Sequence, residues 1–140
     1  MIFFFDRSVA VTIANIVKAL EGGNVVVYHD DRFAKNTADT AWIAAVAQWN
    51  PKPVVISGDT RILERPDEAA ALSKSNLMFF CLAPGWTNLD LREYPWKFLK
   101  AWNNMRDTLK ITNEPAIFKV AVGSSLKVDK VCLTKTLRKK

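Results

Sequence analysis

The sequence has little of what builds a covalently stapled or zinc-held domain: two cysteines and one histidine in 140 residues. A disulfide framework is excluded on that count, and a structural zinc site, which needs four Cys or His ligands, nearly so. Glycine and proline are scarce as well, at 5 and 6, too few for a fibrous or low-complexity chain. No apolar run is long enough to span a bilayer. The stretch Met1-Ile2-Phe3-Phe4-Phe5 stops at Asp6, with no basic lead-in and no small-residue cleavage site, so it is a buried strand rather than a signal peptide. Cys81 lies in an apolar run and reads as a buried thiol, Cys132 lies near a basic end, and a reducing cytoplasm without membrane association is the expected setting.

What is present is the composition of a folded protein. A hydrophobic share of 49% and a charged share of 24% exclude disorder, and the length suits one domain with a real core. The net charge of +6 is unevenly spread. Residues 1–91 carry 8 basic and 10 acidic side chains, whereas residues 92–140 carry 12 basic and 4 acidic. A slightly acidic first part joined to a basic second part fits a polyanionic partner; it also fits a soluble domain with a charged tail.

Along the chain, apolar strands alternate with helical periodicity. Strands are expected at 2–5, 25–28, 54–56, 77–82 and 116–122. Ser8 is the expected cap of a helix carrying Ile13, Ile16, Val17 and Leu20, and Gly22-Gly23 stops it. Thr37 is the expected cap of a second helix, with Trp42, Ile43, Val46 and Trp49 on its buried stripe. Pro66-Asp67-Glu68 opens a third helix. A fourth, from Pro95 to about Lys110, places Phe98, Leu99, Trp102, Met105 and Leu109 on one side. The alternation predicts an α/β fold: a mostly parallel, twisted sheet of about five strands with helices on both faces, and residues 126–140 as a basic tail.

In a parallel sheet the ligand sits beyond the carboxyl ends of the strands. Asp6 follows the first strand there, Asp30 and Asp31 the second, and Asp59 the third, while Asp39 opens the helix after the second. Carboxylates gathered in one cleft repel unless a cation offsets them. Magnesium or manganese, hard ions that take carboxylate oxygens and keep waters, fits that role, and such ions activate water and stabilise charge at phosphorus. Arg7 and Arg61 adjoin these acids, so they either meet a substrate phosphate or neutralise the carboxylates. Each acid also has a plain structural reading: Asp6 as a strand-end cap, Asp39 as a helix-dipole partner, Asp59-Thr60 as a turn. Of the five tryptophans, Trp86 in its Pro-Gly loop is the one considered for base stacking, with packing the stronger reading.

Asp6 after the first strand, then Asp39-Thr40-Ala41-Trp42-Ile43, then Val54-Val55-Ile56-Ser57-Gly58-Asp59, resembles the PIN-like nuclease superfamily, in particular its short bacterial branch related to VapC-type toxins. The resemblance is strongest over residues 1–85 and implies a three-layer PIN-like domain over residues 1–125. It places Asp6, Asp39 and Asp59 as catalytic metal ligands, with Asp30 or Asp31 standing where the family has a mid-chain acid. It sets Ser57 as the hydroxyl before the last acid. Thr60, Arg7 and Arg61 are the further candidates for the substrate phosphate, by their position beside the acids rather than by the resemblance. The implied activity is a magnesium- or manganese-dependent endoribonuclease, in that family often the toxic half of a toxin–antitoxin pair. Its partners would be RNA, a cognate antitoxin and a second copy of the chain. Two alternatives stay open: a non-catalytic PIN-like module binding RNA or protein, and a phosphoacceptor receiver domain. A receiver has an acidic pair after its first strand, where this chain has Asp6 beside Arg7.

Overall fold

The computed structural model describes residues 1–123 and 125–133. Six strands form one sheet: β1 Ile2–Phe5, β2 Val25–Tyr28, β3 Val54–Ser57, β4 Met78–Leu82, β5 Ile117–Val120 and β6 Val128–Val131. Their order is β2-β1-β3-β4-β5-β6. The first five run parallel and β6 pairs antiparallel to β5. Five helices connect them: α1 Val11–Leu20, α2 Asp39–Val46, α3 Arg61–Glu64, α4 Pro66–Ser75 and α5 Glu93–Ile111.

Alternation along β1 shows how the sequence makes three layers. Successive strand side chains point to opposite faces, so Phe3 and Phe5 join one core with Ile13 and Val17 of α1 and Phe98 and Trp102 of α5. Phe4 joins the other, with Trp42 and Ile43 of α2, Ile62 of α3 and Leu72 of α4. The contacts are ring on ring: Phe3 meets Trp102 edge-on at 4.9 Å, and Phe4 stacks on Trp42 at 5.3 Å. All three phenylalanines are fully buried, each burial stabilising the fold by roughly 1.5–3 kcal/mol. A one-residue slip of β1 would turn every one of these rings to the wrong face.

The same register positions the functional edge. Phe5 pairs with Ile56, so the next residues, Asp6 and Ser57, emerge side by side at the carboxyl ends of β1 and β3. After β1 the chain departs to β2 on one side, and after β3 to β4 on the other. That is the switch in strand order where open parallel sheets bind their ligands.

Three local expectations are corrected, and one helix is added. The cap of α1 is Ala10 rather than Ser8, whose hydroxyl is taken up by Asp6 and Gly58. The cap of α2 is Ala38, because Thr37 donates its hydroxyl to the Ala34 carbonyl at 2.7 Å. Four-residue α3 is too short to show a period in sequence. Residues 128–131, expected within the tail, form β6, whose Val128 and Val131 pack on the two cores. Lys135, Arg138, Lys139 and Lys140 lie outside the described residues. Among the described residues no helix is long and apolar enough to cross a membrane.

Candidate functional site

Asp6 is the centre of the edge, only 5% exposed. Its Oδ1 accepts the Arg7 amide at 2.7 Å, and its Oδ2 accepts the hydroxyls of Ser8 at 2.7 Å and Ser57 at 3.0 Å. Each hydroxyl also accepts an amide from the turn after β3: Gly58 N–H to Ser8 at 2.8 Å, and Asp59 N–H to Ser57 at 3.2 Å. Both serine protons are thus committed to Asp6, and the two loops are sewn together through one carboxylate oxygen. Gly58 is required for that approach, since a Cβ there would stand 2.9 Å from the Ser8 carbonyl oxygen. Tyr28 holds the β1 loop from the other side, donating to the Val9 carbonyl at 2.7 Å.

Burial pushes the Asp6 carboxyl above its ordinary value; the two hydroxyls pull it back, and the negative charge of Asp39 pushes it further up. Asp39, first residue of α2, accepts the Trp42 indole N–H at 2.8 Å. Asp59 is held differently. Arg61 grips it with a two-pronged bond, Nε to Oδ1 at 2.9 Å and Nη2 to Oδ2 at 3.1 Å. Burial raises the Asp59 carboxyl, but the hydrogen bonds and charge of Arg61 outweigh it and leave it below its ordinary value.

The remaining expected residues divide clearly. Asp30 sits in a short 3-10 turn, paired with Arg7 at 2.8 Å and with the His29 ring at 3.0 Å. The His29 bond, first of all, holds its carboxyl below the ordinary value. Asp31 accepts the Tyr28 amide at 3.1 Å. Both therefore have local work that explains them. Thr60 lines an open cleft of about 350 Å³ with Ser8, Gly58, Asp59 and Arg61, joined by Pro84 and Thr87 from beyond β4. Trp86 is buried and donates its indole N–H to the Val120 carbonyl at 3.0 Å, which leaves it no face for a base.

Two participants escaped the sequence reading. Ser8 was assigned to a helix cap, yet a Ser two residues after a strand-end Asp can fold back on it. Glu68 pairs with Arg65 at 3.3 Å through Oε1, its charge also acts on Arg61, and its Oε2 is buried without a hydrogen-bond partner among the described residues.

Magnesium uses one or two carboxylates, several waters and substrate phosphate oxygens rather than a full protein cage. Asp6 and Asp39, two hard-oxygen donors of which the second raises the first by its charge, fit that chemistry. Asp59, turned to Arg61, supplies no third ligand as it stands, and among the described residues no three His, Cys, Asp or Glu side chains form a metal-holding group.

The fold and the edge define a class: an α/β domain with acidic, hydroxyl-lined chemistry at the switch in strand order. Residues 1–84 match the family described as PIN like domain, and the chain belongs to that family, part of a nuclease superfamily. No curated protein and no solved structure matches the chain. Family membership favours the nuclease class over the phosphoacceptor alternative.

Proposed function

We propose that the chain is a metal-dependent endoribonuclease, with Asp6 and Asp39 holding Mg2+ or Mn2+ and RNA as the substrate. The observation that supports it is the Asp6–Asp39 pair: a buried carboxylate, raised by burial and by a second acid, at the switch in strand order of a PIN-like domain. A divalent ion bound there would lower the pKa of a water and offset charge at the scissile phosphate. Ser8 and Ser57 fix the orientation of Asp6. Arg61, whose side chain is 65% exposed, reaches the cleft mouth, where a phosphate competes with Asp59 for its guanidinium. Arg7 stands in the same relation to Asp30. Asp59, once released, joins Asp6 and Asp39 as the third acid. The reading extends to a cytoplasmic toxin with a cognate antitoxin, and to a second copy of the chain as partner.

A second reading has its own observation. The arginine grips on Asp59 and Asp30 leave both acids neutralised without any ion, as in a PIN-like module that binds RNA or protein and no longer cuts. Incubating the purified chain with mixed RNA, with and without magnesium or manganese, separates the two. Ion-dependent cleavage lost in Asp6→Asn supports the nuclease; binding without cleavage under every condition supports the module.

A further inference from the structure

The family match ends at residue 84, and the chain beyond it returns at once to the site. Pro84 and Thr87 line the cleft beside Asp59. Leu91, Tyr94 and Pro95 then line a shallow pocket with Ala10, Thr12 and Ile13, just past the Asp6 loop. Because β4 and β5 are parallel, α5 starts on the carboxyl-edge side of the sheet and runs back to the amino edge. Arg92, the N-cap residue, and Trp96 and Lys100 within the helix follow one another at intervals of four, on one side of α5. All three are exposed. Trp96 is 48% exposed, in contrast to Trp42, Trp86 and Trp102, which lie in the core. Lys100 Nζ stands 4.7 Å over the Trp96 ring.

From this arrangement we propose that Arg92, Trp96 and Lys100 form a binding track for single-stranded RNA, leading from the cleft along α5. An exposed indole offers a stacking platform that every base can use, and flanking cations follow the phosphates. Lys100 is free to swing from the ring to a phosphate, baring the indole face to a base. Charge complementarity selects the occupant: the stripe alternates cation, aromatic ring and cation, as a polyanion with planar bases requires. The choice of RNA rests on the nuclease reading; the track itself rests on the stripe. It also gives the basic second part of the chain a defined contact rather than a diffuse one.

The test is binding of short fluorescent single-stranded RNA to the full chain in EDTA, where no ion-dependent cutting takes place. Trp96→Ala should weaken binding about 5- to 150-fold, the range of one base–aromatic stack, with an unchanged melting temperature. Trp96→Phe should restore most of the loss. Arg92→Ala with Lys100→Ala should weaken binding and flatten its salt dependence. Wild type that binds through Trp96 yet never cuts RNA with magnesium would sink the nuclease reading and leave the track standing. The track is overturned if Trp96→Ala binds like wild type, or if wild type does not bind. It is equally overturned if wild type is a dimer that Trp96→Ala dissociates, since a second copy then covers the ring.

Discussion

The Ser57 hydroxyl donates to Asp6 Oδ2 at 3.0 Å across 51 positions of sequence. Parallel pairing of β1 with β3 sets up that contact, because Phe5 opposes Ile56 and the next residue on each chain, Asp6 and Ser57, stands at the carboxyl edge of the sheet. The site is therefore a product of register, and disturbing the junction should disturb the chemistry before it disturbs the core.

Asp6→Asn should stabilise the ion-free protein near neutral pH. Burial raises the Asp6 carboxyl above 3.8, so its contribution is most favourable below that value and is lost as pH rises through the folded-state pKa. The variant escapes that loss. Its melting temperature should exceed that of wild type at pH 7, by about 2–4 °C or more per kcal/mol recovered, with the gap closing toward pH 3. Thermal melts across pH read it directly.

Arg61→Ala isolates the opposite case. The Asp59 carboxyl is held low, so its stabilisation is present above 3.8 and disappears as pH falls through the folded-state value. The arginine is largely exposed, which limits the pair to about 1 kcal/mol or less. Loss of stability in Arg61→Ala should therefore be small at pH 7 and vanish in acid, as measured by denaturant midpoints at the two pH values.

Gly58→Ala should be costly for a reason of space. Its Cβ would meet the Ser8 carbonyl oxygen at 2.9 Å, forcing apart two loops joined through Ser8 and Asp6. Destabilisation of about 1–3 kcal/mol is expected, as for an overpacked position, with RNA cleavage reduced as well. An unchanged denaturant midpoint would show that the loops can separate freely.

Thiol chemistry checks the core. Burial pushes the Cys81 thiol up to about 12, so almost no thiolate forms at pH 8. Cys132 is exposed. Alkylation of the folded protein at pH 8 should modify Cys132 and leave Cys81 intact until denaturant is added; mass spectrometry after digestion gives the order.

The sheet was legible because β1 and β3 are continuous apolar runs, as parallel strands buried on both faces must be. Asp6, Asp39 and Asp59 were legible as strand-end and helix-start acids. Their partners were not. Nothing in the order of residues says that Ser8 bonds Asp6 instead of capping α1, or decides between the two roles open to Arg61, of which the structure shows the grip on Asp59. Those choices depend on side-chain geometry that only the assembled sheet edge provides. Strand β6 was hidden by its composition, since Val128-Asp129-Lys130-Val131 has two charges in four residues and pairs only at the sheet margin. Trp96 and Trp86 look alike in sequence, and it is the buried bond of Trp86 to Val120 that separates packing from exposure.

Calorimetric titration with Mn2+ tests whether Asp6 and Asp39 hold the divalent ion while Arg61 restrains Asp59. Wild type should bind the ion, Asp6→Asn and Asp39→Asn should each weaken binding by about tenfold or more, and Arg61→Ala, with Asp59 released, should bind more tightly. Equal Mn2+ affinity in wild type and Asp6→Asn would contradict the account.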